Sequence, residues 1–523
     1  MDKNFNIKED IYKTICPGCN IGCGLYLRKL NYNNLDSSTS KLFLEHRKPD
    51  PVNEGKLCHF GVHLCEYYNN CLKENEISDE KINEFIKILN SYSDNEIEFI
   101  NIGNVTNEEH ISFMNLSKLK NKSVNTLTNI IYRKLGSLHC ISSNKTNITY
   151  KEILNFKKIF IFGDLSLQYP LIVRYLIQAK NNGSEIISFG VKSVPFSSNH
   201  IFIDENESLY NIKEFNPDLD TLIISDISVY SNVKRLTEIL EFINLKKSKK
   251  LFLRPFVNSS GIGYLSKHTN QKSFKEILEL INNNTVKVLI CLESDIIGLY
   301  LDPSIKEIIK KLDHLIVISS FNTETYELAT LKISIDPFYM RYGTTINNEN
   351  RLISQYLLTN TEKKENRLFD LIQTLIQNCG GKKETIDEIE FEVMKKFNIE
   401  YNDKIKDPII KYEKKDYNIK EKISNKIEQP YSLNNECNIK HLYLFSPYYW
   451  MSTNKYNDII EINEKTIQSL NILKGNEIVI SCSCGNSDIT SKYKISNIIE
   501  NYIISWNKKV FSKKTFSFVS IKK

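Results

Sequence analysis

The residues best suited to chemistry lie at the start of the chain. Cys16, Cys19, Cys23 and Cys58 follow the spacing Cys-x2-Cys-x3-Cys-x34-Cys. Three thiolates in one tight loop can bind three corners of a cubane. A fourth, brought from a distant loop, closes the site. Ligation by four cysteines is the usual requirement of a [4Fe–4S] cluster. Gly18, Gly22 and Gly24 let the backbone wrap closely around a bulky inorganic core. Zinc also accepts four cysteines. It more often uses two Cys-x2-Cys knuckles, and here the second half offers only Cys58, with Cys65 too far along to complete a pair. The spacing favours a cluster over zinc, and four purely structural thiols are the remaining alternative.

The other cysteines read as structural. Cys65 and Cys71 fall on an expected helix over residues 64–72, as buried thiols. Cys482 and Cys484 share one face of an expected hairpin turning at Gly485-Asn486. That face could bind metal, but a structural role is the simpler reading. Cys291, Cys379 and Cys437 are isolated.

The elements that must position these residues follow in order. Short strands are expected at Gly24–Leu27 and Leu42–Leu44, and a helix at Asp79–Leu89, where Ile82, Phe85, Ile86 and Leu89 recur at helical spacing. Apolar runs at residues 97–102, 158–162, 185–189, 221–225, 250–253, 286–291 and 314–318 read as strands. Helical stretches at 171–180, 232–243 and 303–312 lie between several of them, which predicts parallel α/β sheets. Two helices are expected at Arg367–Asn378 and Thr385–Phe397. Residues 404–436 read as an extended charged connector. Short strands at 441–445, 477–481 and 502–505 then predict a small β-rich domain, with a turn at Leu473–Asn476.

The chain has 523 residues, enough for about three or four domains. Hydrophobic residues make up 41% and charged residues 25%, which excludes wholesale disorder. A net charge of +6 spread over this length is no nucleic-acid signature. No apolar run approaches about 18 residues, so no membrane span is expected. Met1–Asp10 lacks an apolar signal core and a twin-arginine pair, so the expected compartment is the cytoplasm.

The run from Cys16 to Leu27, CPGCNIGCGLYL, and the run Pro51–Cys58, PVNEGKLC, resemble the N-terminus of formate dehydrogenase alpha chains, in the molybdopterin oxidoreductase superfamily. Thr106–Glu109 resembles the family's segment after its first sheet strand. Phe321–Ala329 resembles its TETAELA run, and Gly343–Arg351 its GTFTNTEGR run. Residues 472–479 resemble part of its C-terminal dinucleotide-binding barrel.

The resemblance implies an α/β fold with a small N-terminal [4Fe–4S] domain and a C-terminal β-barrel of the molybdopterin dinucleotide-binding type. On that basis the expected organisation is a cluster domain over 1–73 and two α/β domains over 74–360. A helical and charged connector over 361–436 and the β-rich domain over 437–523 complete it. The implied cofactors are the cluster and a bis-molybdopterin guanine dinucleotide carrying Mo or W. Asn347, Glu349 and Arg351 become candidate contacts to the dinucleotide arm, with a satisfied surface loop as the rival reading. Asn258–Gly263 fits the family's substrate-side loop, or an ordinary turn.

The sequence also departs from the family. Two residues after the fourth cysteine, where the family carries a lysine between cluster and pterin, stands Phe60. Phenylalanine cannot donate a hydrogen bond. His59 and Lys56 are nearby but not at that position. Active members place a cysteine or selenocysteine on the metal, followed by histidine. Matching Ser123-Val124-Asn125 to the family's NVD run puts Ile131 and Tyr132 there. An ungapped count from Thr106 gives Arg133 and Lys134 instead. None of the four supplies a thiolate or an imidazole. A shifted loop would present His139-Cys140, in reversed order, so these two are the remaining catalytic candidates. The chain is also short for such a catalytic subunit.

Two readings from different classes follow. One is an oxidoreductase that oxidises formate, or a related small C1 substrate, at Mo or W. Its electrons would pass through the cluster to an iron–sulfur or flavin partner subunit. The other is a catalytically silent, cluster-bearing electron-transfer or structural subunit. A formylmethanofuran dehydrogenase-type chain is a third reading, which Gly24–Leu27 fits less well.

Overall fold

The computed structural model describes residues 7–32, 41–68, 71–72, 77–126, 148–166, 168–204, 207–226, 238, 248–266, 269–299, 304–360, 364–400, 402, 406–410, 439–443, 459–472, 477–482, 486–498, 500, 502–505 and 516–522. The chain divides into two units. The first comprises Met1–Asn144, Arg254–Ile296 and Ile308–Asp416. The second comprises Lys145–Leu253, Ile297–Glu307 and Tyr417–Lys523.

The first unit holds two sheets. One is antiparallel, with Lys41–His46, Gly24–Tyr32 and Ile7–Ile15 side by side, followed by the hairpin Leu352–Leu357 and Gly343–Ile346. The other is parallel, in the spatial order Val124–Thr126, Ile97–Asn101, Val288–Leu292, His314–Ser319, Leu331–Ser334. Its central strands, IEFIN and VLICL, are buried at every position. Such unbroken burial is what a sheet covered on both faces requires.

Helices Asp79–Ser91 and Arg367–Asn378 pack on this sheet. Phe85, Leu89, Leu368, Leu371, Ile372 and Leu375 join Phe99, Ile290 and Ile316 in one core. Helix Ile386–Phe397 places Ile389, Val393 and Phe397 in a second cluster with Ile111 and Ile346. The region expected as a connector from residue 361 thus contributes core helices to the first unit, because its apolar stripe needs a surface to cover.

The second unit holds a parallel sheet in the order Lys249–Leu253, Thr221–Asp226, Lys158–Phe162, Glu185–Gly190, Asn199–Phe202. The order reverses between Lys158–Phe162 and Thr221–Asp226, a topological switch point. Helix Pro170–Asn181 begins with proline at its first position, where no N–H is needed. In the C-terminal part, strands Ile439–Tyr443, Tyr502–Ser505, Ile459–Ile462, Asn486–Ile495, Ile478–Cys482 and Phe516–Lys522 pair in that order, and the last pairs with the first.

The two parallel sheets interleave along the chain. The second sheet interrupts the first, whose strands resume at Val288. The expected helix over 64–72 ends at Tyr68, and Cys71 instead forms a β-bridge with Phe321. All but residue 238 of the expected helix 232–243, the turn at 473–476, Cys437 and Cys484 lie outside the described residues, as does most of the 404–436 segment. Among the described residues, no helix is long and apolar enough to cross a membrane.

Candidate functional site

The three-cysteine loop is a hairpin tip. Strands Ile7–Ile15 and Gly24–Tyr32 pair antiparallel down to Ile15 opposite Gly24. Cys16 N–H then donates to Cys23 O at 2.9 Å and closes the loop. Cys16 and Cys23 are buried, and Cys19 and Cys58 are partly exposed. Cys58 stands immediately before the short helix His59–Val62. Gly18 N–H points at Cys16 Sγ, 3.4 Å away. A Cβ on Gly18 would lie 3.0 Å from Phe60 Cβ and 3.2 Å from Cys16 Sγ. Gly22 has φ +79° and faces Ile353 Cδ1, which a Cβ would meet at 2.6 Å. Both conditions call for glycine.

The electrostatics of the four sulfurs are coupled. Burial, then the neighbouring Cys58, pushes the Cys16 thiol up to about 12, and the Gly18 N–H opposes this. Burial, then Cys19, Cys58 and Cys16, pushes Cys23 well above the ordinary thiol range. Buried, adjacent sulfurs ionise only if a cationic core compensates them. Among the described residues, no three His, Cys, Asp or Glu side chains are grouped to hold a single metal ion. The donor set, the N–H aimed at sulfur and the glycine cradle fit a cluster, whose thiolates sit at separate corners.

Asn347, Glu349 and Arg351 lie in the turn of the neighbouring hairpin. Asn347 Nδ2 donates to Ile21 O at 2.9 Å, and its Oδ1 accepts from Glu349 N and Arg351 N. Arg351 pairs with Glu349 at 2.6 Å and donates to Asp407 O at 2.9 Å. These bonds stay within the chain and brace the cluster loop from its sheet side. Asn348 N–H adds a bond to Asn20 O, and Asn20 N–H donates to Arg254 O. Asn258, from the expected substrate-side loop, donates to Val105 O and Asn107 Oδ1.

Phe60 is buried against Gly18, whereas His59 and Lys56 are exposed. Ile131, Tyr132, Arg133, Lys134, His139 and Cys140 lie outside the described residues. Of the remaining cysteines, Cys71 is buried 3.4 Å from Tyr339 Oη, and Cys291 is fully buried in a central strand. Burial and Glu66 push the Cys65 thiol up to about 11.

Sequence reasoning missed two polar features. Helix Asn107–Lys118 opens on a capping box, with Thr106 Oγ1 accepting from Glu109 N and Glu109 Oε2 from Thr106 N. Asn107, Glu108, Glu109 and His110 are all fully buried. Glu108 accepts from Thr344 N and Oγ1, both at 2.7 Å. Burial and Glu390 raise its carboxyl to about 7. Arg341 lies 3.4 Å from Glu109 and 3.5 Å from Glu293. Burial raises Glu293 to about 7 against the pull of Arg341.

The second feature is the carboxyl edge of the second unit's sheet. Asp164 follows strand Lys158–Phe162 and pairs with Lys192 at 2.8 Å, and Lys192 pairs with Glu461 at 3.1 Å. Ser225, near the carboxyl end of strand Thr221–Asp226, and Gln168, which precedes helix Pro170–Asn181, have Oγ and Nε2 buried with no hydrogen-bond partner among the described residues. Buried polar atoms are ordinarily bonded. At the carboxyl edge beside a switch point, such atoms fit a ligand with polar groups, as a dinucleotide arm has.

Comparison with known proteins adds two findings. Residues 9–70 match the family model of the molybdopterin oxidoreductase Fe4S4 domain, which defines the class of the N-terminal domain. The chain also shares its fold with acetylene hydratase from Pelobacter acetylenicus, at TM-score 0.60 and 11% identity, over 95% of this chain and 92% of that one. No curated protein matches.

Proposed function

We propose that the chain is an iron–sulfur molybdopterin oxidoreductase of the formate dehydrogenase type, oxidising formate or a related C1 substrate. The observation that carries the reading is the hairpin-tip loop, with its four cysteines, its N–H aimed at Cys16 Sγ and its glycine cradle. Cys16, Cys19, Cys23 and Cys58 would hold the [4Fe–4S] cluster. Gln168 and Ser225 would meet polar groups of one dinucleotide arm of a bis-molybdopterin guanine dinucleotide, and the C-terminal strands would form its capping barrel. When bound, the cofactor supplies a Mo or W centre that accepts two electrons from substrate carbon. This chain's residues exclude water from the cluster through Phe60 and hold the loop through Asn347. An iron–sulfur or flavin protein would receive the electrons, in a cytoplasmic setting. The residue wording of Cys16–Leu27 and Pro51–Cys58 supports the formate assignment over the hydratase chemistry named for the structural neighbour.

A second reading has its own support. Phe60 occupies the expected lysine position and is buried there. A cluster-bearing subunit without turnover would need no charged group at that place.

The test is anaerobic purification with iron, molybdenum, tungsten, zinc and pterin counted per chain. About four irons, one Mo or W and two pterins, with formate-dependent dye reduction, is the expected result. Iron without Mo, W or pterin transfers the case to the silent subunit. Zinc in place of iron overturns both readings. An acetylene-hydration assay on the same sample separates the neighbour's chemistry.

A further inference from the structure

The cluster loop poses a geometric problem that Cys16, Cys19 and Cys23 do not solve alone. Cys58 lies on a separate segment and must keep a fixed distance from Cys23. One side chain bonds both sides. Asn53 is fully buried. Its Oδ1 accepts from Gly24 N at 3.2 Å, next to Cys23. Its Nδ2 donates to Gly24 O at 3.1 Å and to Lys56 O at 2.8 Å, two residues before Cys58. The three bonds fix the amide's orientation, since a flipped oxygen would face two carbonyls.

Asn53 is itself held. Its N–H and that of Val52 both donate to Asp50 Oδ1, at 3.1 and 2.9 Å. Asp50 pairs with Arg47 at 2.8 Å, and Arg47 with Asp407 at 3.2 Å. Asp407 pairs with Lys13 at 3.2 Å and accepts from Ser354 N. Two cations and two carboxylates alternate, so the chain of bonds ends on strands and not in solvent. A Cβ on Gly24 would collide with the Asp50 carboxylate. The carboxylate thus also sets how closely Gly24 approaches.

We propose that Asn53 is a positioning residue that sets Cys58 against the Cys16–Cys23 loop, fixing the spacing of the fourth cluster ligand. The inference rests on the cluster reading above and goes beyond it.

Asn53→Asp is nearly isosteric and keeps the acceptor for Gly24 N, but loses both donor bonds. Asn53→Ala loses all three. Leu371→Ala, in the core of the same unit, serves as a control for lowered stability alone. All are purified anaerobically as full chains, with folding checked by far-UV circular dichroism. The readouts are iron per chain and the electron paramagnetic resonance spectrum of the dithionite-reduced cluster. Both Asn53 variants are expected to hold less than half the wild-type iron, with an altered spectrum in what remains. Leu371→Ala should keep wild-type iron and spectrum despite a lower melting point. Wild-type iron and spectrum in both Asn53 variants overturn the inference alone. Equal iron loss in Leu371→Ala overturns it too, because stability would then explain the effect. If Asn53→Ala does not fold, Asn53→Asp decides. A wild-type chain without iron overturns the cluster reading and the inference together.

Discussion

The two parallel sheets are built from the same kind of strand, yet they treat charge in opposite ways. In the first unit, burial outweighs the compensation that two carboxyls receive. Arg341 faces both Glu109 and Glu293, and Glu108 is bonded by Thr344. Glu108 and Glu293 are consequently raised to about 7. In the second unit, burial also pushes Asp164 upward, but Lys192 more than offsets it, and the carboxyl falls below its ordinary range. Lys192 is depressed by burial but raised overall by Asp164 and Glu461. One buried edge can thus shed charge by taking up protons near neutrality, whereas the other is locked as ions. The second edge also leaves the neutral Gln168 Nε2 and Ser225 Oγ without a hydrogen bond among the described residues, whereas Glu108 is bonded by Thr344 through both oxygens.

The contrast can be broken most severely at Lys192. Lys192→Met removes the close cation from buried Asp164 and Glu461, and we predict a loss of about 3–5 kcal/mol, read from the urea midpoint. Arg341→Met should cost less at pH 6 than at pH 8, because Glu293 can accept a proton there. Equal losses for the two variants at both pH values would erase the distinction between the edges.

The pH dependence sharpens the comparison next. Glu108 rises from an ordinary value of 4.5 to about 7 on folding. The folded state then binds more protons than the unfolded state between those values. Its contribution is therefore fully favourable below about 4.5 and is lost as pH rises towards 7. We predict that stability falls over that window and that Glu108→Gln flattens the fall by up to one proton's worth of slope. Asp164 has the opposite sign, so its stabilisation is present above the ordinary carboxylate range and fades only in acid. A wild-type slope retained by Glu108→Gln would assign the titration elsewhere.

The smallest effect concerns the unmet atoms. Replacing an unpartnered buried hydroxyl by hydrogen relieves a desolvation cost of about 1–3 kcal/mol. Ser225→Ala should therefore raise the melting temperature of the cofactor-free chain while lowering its pterin content. Destabilisation of the cofactor-free chain would mean that Ser225 already has a partner.

Much of this is legible in the sequence. The hairpin-tip cysteines announce themselves because ligand spacing is local. Strands such as Lys158–Phe162 and helices such as Arg367–Asn378 follow from runs and periodicity, which are also local. Asn53 lay within a run already singled out, but nothing in its type distinguished a clamp from a turn. Asp407 was hidden in a segment that read as charged connector, and only the fold returns it to Lys13 and Arg47. The Asn107–His110 stretch is wholly polar, yet it is buried, with His110 lowered to about 3 by that burial.

The sequence by itself determined which sulfurs could bind iron, through three cysteines in one loop and a fourth within the same N-terminal stretch, and which segments would become most of the strands and helices, since those depend on neighbours a few residues away. Tertiary structure alone decided that one parallel sheet interrupts the other. It also decided that residues beyond 361 complete the first unit's core, and that the sheet edges differ in their charge. Burial and ion pairing depend on residues tens to hundreds of positions apart, and no local pattern encodes which of them meet.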